Sequence, residues 1–297
     1  MKVEVECAAC LLHRGYLEVK NATNDLSLQF KAMSVLADLL SREFKPAAVP
    51  AVLGTERDRL VKRVTGNSDP YAKTKQLSNR RALEILPLVK SLISRESSTE
   101  SGFRKACLCS IVGNVIEFDI PVHAFKFEDM EKMIQRAEED LAIDEIPRIF
   151  NAARKARRIL YLTDNAGEIA FDTLFVHELK KLGAHVVVGV KDKPILNDAT
   201  MGDAEAVGMH KVADSVITTG TDSVGLIPEE CSQEFFDFYS SVDFVVAKGM
   251  GYLETISEFQ SLCTAHAFLL RTKCGPVARF LGVDVGKNVA MLRDISF

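Results

Sequence analysis

Apolar residues recur at helical spacing from Cys7 to about Arg158, and from Ile159 onward short β-branched runs alternate with amphipathic stretches. In the first half, Leu26, Phe30, Met33, Leu36, Ala37 and Leu40 form one helical stripe, and Leu83, Leu86, Val89, Leu92 and Ile93 form another. Pro70 and Pro87 mark a helix start or a kink, residues 94–102 read as a polar connector, and the charged run from Glu128 to Asp140 reads as a solvated helix. In the second half the strand candidates are Ile159 to Leu162, His185 to Val190, Ser215 to Thr218, Phe244 to Ala247 and Ala267 to Leu270. Strands alternating with helices predict a parallel sheet covered on both faces. The chain therefore divides into a helical domain, residues 1–155, and an α/β/α domain, residues 156–297.

The strand Ile159-Leu160-Tyr161-Leu162 ends abruptly in Asp164 and Asn165, then Gly167 and Glu168. The helix that follows keeps Ile169, Phe171, Leu174, Phe175, Val176 and Leu179 on its apolar positions and closes at Gly183. An aspartate and an asparagine side by side at a strand's carboxyl end are hard oxygen ligands for Mg²⁺, Mn²⁺ or a similar cation. Both are also good helix caps, which accounts for one such residue but not for the group. The other strand ends carry Asn197, Asp198 and Asp203, then Gly220, Thr221 and Asp222, then Lys248, Gly249 and Gly251, then Arg271 and Lys273. In an open parallel sheet ligands bind outside the carboxyl ends of the strands, so these tails converge. Carboxylates and amides facing fixed positive charge suit a divalent metal opposite an anionic substrate, with lysine as a point charge on phosphate.

Composition narrows the class without changing that picture. At 297 residues, 47% of them apolar, and a net charge of −4, the chain is long enough for two domains and has no basic field for nucleic acid or an anionic membrane surface. No apolar signal core opens it and no uncharged run reaches the ~20 residues of a membrane span, so a cytoplasmic protein is expected. No feature specifies an oligomeric state. Seven scattered cysteines argue against a disulfide framework. Cys7 and Cys10 with Cys107 and Cys109 either form a thiolate metal or redox site or pack as small hydrophobes in helices, and Cys231, Cys263 and Cys274 sit in apolar surroundings that look structural. The six histidines show no ligand spacing. Walker, dinucleotide-binding, G-x-S-x-G and H-E-x-x-H motifs are all absent from the sequence. Gly113 and Asn114, inside the apolar stretch Ile111 to Phe118, read either as an internal turn or as a segment reaching over the second domain's cleft.

The segments Asp164-Asn165-Ala166-Gly167-Glu168, Pro194-Ile195-Leu196-Asn197-Asp198-Ala199-Thr200, Ala247-Lys248-Gly249-Met250-Gly251 and Leu270-Arg271-Thr272-Lys273-Cys274-Gly275-Pro276-Val277 resemble the metal-dependent damage-control phosphatases. Cys7-Ala8-Ala9-Cys10 and Gly113-Asn114-Val115-Ile116-Glu117-Phe118 are similar to that family's prokaryotic branch, so the likeness spans nearly the whole chain. The resemblance implies an all-helical N-terminal domain packed on a three-layer α/β/α domain with a mostly parallel, Rossmann-like sheet. It implies a divalent cation (Mn, Mg, Co or Ni) held by Asp164, Asn165 and Asp198, and a small phosphorylated metabolite as substrate. The catalytic set is then Asp164, Asp198 and Lys273, and the substrate contacts are Asn114, Glu168, Asp222, Lys248, Gly249, Arg271 and Lys273. Two departures bear on substrate choice: Tyr252 stands where relatives commonly have Asn, and Glu117-Phe118-Asp119 replaces Asp-x-Gly.

The expected reaction is hydrolysis of a phosphate monoester, with the cation polarising a phosphoryl oxygen and Lys273 neutralising developing charge. Either a metal-activated water or a carboxylate such as Asp164 attacks, and water is favoured because a ligating aspartate has its lone pairs committed. Two rivals use other features. A carboxyl methyltransferase dependent on S-adenosylmethionine would use Gly167 and Asp192, and a non-catalytic module would only bind a phosphometabolite in the same cleft.

Overall fold

Most breaks in the hydrophobic pattern become element boundaries in the computed structural model, which describes residues 1–113 and 127–294. The chain opens with α1 (Glu6–Ala22), α2 (Leu26–Glu43), α3 (Pro50–Thr65), α4 (Ala72–Ser94), α5 (Thr99–Val112) and α6 (Phe127–Glu139). Then come β1 (Leu141–Asp144), α7 (Ile146–Lys155), β2 (Arg158–Leu162), α8 (Glu168–Lys181), β3 (His185–Val190), α9 (Met201–Ala206) and β4 (Ser215–Thr218). The last elements are α10 (Gln233–Ser241), β5 (Phe244–Lys248), α11 (Gly249–Ile256), β6 (Ala265–Arg271), α12 (Gly275–Leu281) and β7 (Asn288–Arg293).

Local chemistry sets several of these ends. Asp25 caps α2 by accepting from the N–H groups of Ser27 and Leu28 at 2.8 and 3.2 Å. Ser98 and Ser101 close a reciprocal capping box on α5, and Gly66 ends α3 in the left-handed region at φ 73°. Pro50 starts α3, where its missing N–H costs nothing.

The sheet has the order β1-β7-β6-β5-β2-β3-β4. Strands β6, β5, β2, β3 and β4 run parallel, while β7 is antiparallel to β6 and parallel to β1. All five strands expected from the sequence are present. β1 and β7 are additions, and β1 corrects the expectation that everything before Arg158 is helical. Side chains alternate faces with period two. Ile159, Tyr161, Phe244, Val246, Ala267, Leu269, Ala290 and Leu292 pack under the α4–α8 layer. Leu160, Leu162, Val245, Ala247, Phe268, Leu270, Val289 and Met291 pack under α10–α12. At about 1.5–3 kcal/mol for each large side chain fully buried, these two faces outweigh any ion pair in the molecule.

The first core crosses the boundary expected at residue 155, since Val89, Phe103, Cys107 and Ile149 share it with the strands. Helices α1–α3 differ, forming a small unit around Val19, Ala32 and Val61. The stripe on α2 is only partly interior: Leu36 is fully buried, while Leu26 and Phe30 are exposed. Among the described residues no helix is long and apolar enough to cross a membrane.

Candidate active site

Chain order reverses around β2: the connections from β2 to β3 and β4 move one way across the sheet, while β5 and β6 lie on the other side. A crevice at such a switch point is where open α/β sheets bind ligands. β2 ends at Leu162, which pairs with Ala247 of β5 and Gly189 of β3, so the turn after β2 lies between the tails of both neighbours.

That turn carries Asp164 and Asn165, and backbone hydrogen bonds join it to the loop carrying Asp198. Ala199 N–H donates to the Asp164 carbonyl at 2.8 Å, Ala166 N–H donates to the Asn197 carbonyl at 2.9 Å, and Asn165 and Asp198 form an isolated antiparallel bridge. Residues 33 positions apart are thereby held side by side. Gly249 lies against the same carboxylate: at φ 80°, a Cβ there would stand 2.1 Å from Asp164 Oδ2, so only glycine fits.

Burial first, then the negative charges of Glu168 and Asp198, raise the Asp164 carboxyl well above the usual range, against the pull of Lys273 and Lys248. Burial pushes Asp198 up to about 6, opposed by Lys191. Asn165 donates its amide N–H groups to Asp164 Oδ2 at 2.8 Å and Glu168 Oε2 at 3.0 Å, which leaves its amide oxygen as the end offered to a ligand. Two carboxylates and an amide oxygen form a hard donor set suited to a divalent cation with water or substrate in the remaining positions. Among the described residues no three His, Cys, Asp or Glu side chains gather as a metal cluster, so the amide is needed to complete this set.

Asp164, Asn165, Asp198, Arg271 and Lys273 all line one cavity of about 490 Å³. Its opposite wall comes from α1 and α3, through Cys7, Cys10, Leu11, Arg14, Gly54 and Arg57. These helices cover the sheet's carboxyl edge, a role the sequence suggested for the stretch around Asn114. Gly113 does permit a close approach, since a Cβ there would meet Phe171 at 2.9 Å and Glu168 Cα at 3.4 Å. Asn114 itself lies outside the described residues.

Three expected substrate contacts are engaged away from the cavity wall. Lys248 is wholly buried and donates to Ser110 O at 2.9 Å, Glu168 Oε1 at 2.5 Å and Asp172 Oδ1 at 2.8 Å. All three of its N–H bonds are used, so this geometry does not offer it to a substrate as the sequence suggested; Glu168 is engaged in the same network. Burial alone would lower the Lys248 pKa, but Asp172 and Glu168 overcome this and raise it. Asp222 pairs with Arg59 of α3 at 2.6 Å, tying the cap to the β4 tail. Gly249 shapes the site through Asp164.

The cysteines separate as well. Cys107 and Cys109 are buried in the α5 core, where burial raises both thiols, whereas Cys7 and Cys10 face the cavity. Cys274 packs against the second core and also lines the cavity, whereas Cys263 is exposed.

Some residues around the site gave no sequence signal. Lys191, buried at the end of β3, donates to Gly225 O at 2.7 Å and Tyr252 Oη at 3.2 Å, and stands 3.9 Å from Asp198 Oδ2. Its ammonium lies 4.5 Å from the Tyr252 ring centroid. The unusual Tyr252 therefore supports a buried cation beside Asp198. Asp58 of α3 accepts the N–H of Leu196 at 3.1 Å, and Leu196 is the one described non-glycine residue with positive φ, 47°.

The damage-control phosphatase ARMT1-like domain model matches residues 3–289. The chain belongs to this family. A damage-control phosphatase of Archaeoglobus fulgidus is 35% identical over 98% of this chain and 99% of its own length. One of Pyrococcus horikoshii is 34% identical over 98% of both. An uncharacterized protein of Methanocaldococcus jannaschii is 37% identical over 99% of this chain and 96% of its own. The crystal structure of a DUF89 family protein from P. horikoshii superposes with a TM-score of 0.87 at 34% identity, covering 98% of this chain and 99% of that one. Family members named damage-control phosphatases support a hydrolase acting on damaged metabolites.

Proposed function

We propose that this damage-control family member is a divalent-metal-dependent phosphatase that hydrolyses phosphate monoesters of small metabolites, damaged or surplus sugar phosphates and cofactor precursors among them. The observation that carries this is the meeting of Asp164, Asn165 and Asp198 with Arg271 and Lys273 on one cavity.

Asp164, Asn165 and Asp198 would hold the ion, and Mg²⁺, Mn²⁺, Co²⁺ and Ni²⁺ all suit the donors. When bound, such an ion polarises a phosphoryl oxygen and lowers the pKa of nearby water. Lys273 and Arg271, which line the same cavity, would hold the phosphate and neutralise charge that grows on its oxygens. Asp164 serves as ligand rather than nucleophile, because a carboxylate engaged as a ligand has its lone pairs committed.

The methyltransferase alternative has less support. Gly167 N–H is already bound to Asn79 Oδ1 at 2.7 Å, and the Asp192 carboxylate accepts from Thr218 at 3.0 Å. The test is a panel of phosphorylated sugars and cofactor precursors assayed with each of the four metals. Phosphate release that needs metal and disappears in Asp164→Asn is expected. No release with any metal, in a folded protein, would overturn the proposal, and loss of binding without any turnover in the parent would favour the binding-module alternative.

A further inference from the structure

Asn79 sits within α4, only 5% exposed, and makes two hydrogen bonds to two different loops of the site. Gly167 N–H donates to its Oδ1 at 2.7 Å, and its Nδ2 donates to Asp203 Oδ1 at 2.8 Å. Gly167, at φ 80°, is the residue on which the Asp164-Asn165 turn enters α8. Asp203 closes the other turn: its Oδ2 accepts from Thr200 N–H at 2.9 Å and Thr200 Oγ1 at 2.7 Å, two residues beyond Asp198. One amide thus accepts from a backbone donor of the first loop and donates to a carboxylate of the second.

Backbone bonds already join the two loops at their tips. They leave each loop's far end, where it runs into a helix, to be held by something else, and Asn79 meets both far ends. A packing role alone would ask only for a side chain of similar size. Accepting on one atom and donating on the other asks for an amide, because leaving either buried partner unmatched costs about 1–3 kcal/mol.

We propose that Asn79 is a positioning residue that sets the spacing of the Asp164-Asn165 and Asp198 loops, so that α4 of the helical half determines how tightly the site holds its divalent cation. This rests on the cation site proposed above. Outer residues that orient metal ligands typically change affinity or activity by about 10–100-fold when altered.

The experiment measures Mn²⁺ binding to the purified chain without substrate, following free Mn²⁺ by electron paramagnetic resonance, with thermal melting to confirm the fold. Asn79→Asp keeps an acceptor for Gly167 but sets a carboxylate against Asp203, and should weaken binding about 10–100-fold. Adding Asp203→Asn restores the donor–acceptor match with its direction reversed and the net charge unchanged, and should recover most of that loss. Asn79→Ala, which removes both bonds without adding charge, should weaken binding in the same direction. The clamp is overturned if the two single variants bind Mn²⁺ like the parent, or if the swapped pair binds no better than Asn79→Asp. A parent chain that binds no Mn²⁺ would instead overturn the cation site, and the clamp with it.

Discussion

Replacing Lys248 with methionine removes the ammonium from a network that no water reaches. Glu168 and Asp172 would then face each other across an apolar stem, their side chains 2% exposed and fully buried respectively. Removing one partner of a buried ion pair costs about 3–5 kcal/mol, because the remaining charge stays desolvated. In a chain of this size roughly 2 °C of melting temperature follows each kcal/mol, so a fall of about 6–10 °C at pH 8 is expected. The methionine stem keeps the packing against the core, so the loss is chiefly electrostatic.

The pH dependence gives the sharper test. In the parent chain burial raises Asp172 to about 6 despite Lys248, from an unfolded value of 3.8. Between those values the folded state holds a proton that the unfolded chain has released, so this group's contribution to stability declines as pH rises through that window. Without Lys248 the opposing pull is lost and the window extends above 6. Variant and parent should therefore diverge as pH rises past about 6 and converge toward pH 4. Thermal melting across pH 4–8, with Glu168→Gln and Asp172→Asn added to neutralise the partners, measures this directly. A Lys248→Met chain that melts with the parent at pH 8, or whose deficit widens on acidification, would refute the reasoning.

Gly249→Ala should leave the chain folded but largely abolish metal-dependent phosphatase activity, since the new methyl would displace the Asp164 carboxylate that lies 2.1 Å from its position; activity close to the parent's would show that the carboxylate moves freely. Lys273→Ala, at the cavity wall, should raise KM for phosphorylated substrates and lower kcat while leaving Mn²⁺ binding unchanged, as steady-state kinetics alongside a binding titration would show. Asp58→Ala removes the acceptor that holds Leu196 at φ 47°, and should lower stability by about 1–3 kcal/mol in denaturant unfolding while weakening Mn²⁺ binding. Leu196→Gly, added to Asp58→Ala, should recover part of the stability because glycine adopts that backbone without strain.

The parallel core of the fold was legible because each strand from β2 to β6 is a short run of β-branched or large apolar residues with polar tails, a pattern that helices do not share. β1 escaped because four residues, Leu141 to Asp144, show too little alternation to separate them from the end of a charged helix. β7 escaped because its short apolar run, Val289 to Leu292, is buried on both faces and shows no alternation of apolar and polar positions. The carboxylates of the first two strand ends could be picked out since Asp164, Asn165 and Asp198 each follow a buried run directly or close the loop beside it. Lys248 shows where that logic fails: a lysine after a strand looks the same in sequence whether it meets water, a phosphate or two buried carboxylates, and only the arrival of Glu168 and Asp172 from α8 decides. The same holds for Asn79, whose partners are 88 and 124 positions away. Strand-end residues declare their place through local pattern, whereas the residues that hold them in register act across the whole chain. A helical half that supplies Asn79, Asp58 and Arg59 to the sheet's loops is therefore tied to the geometry of the strand ends, and changes to α3 or α4 should lower cation affinity as well as stability.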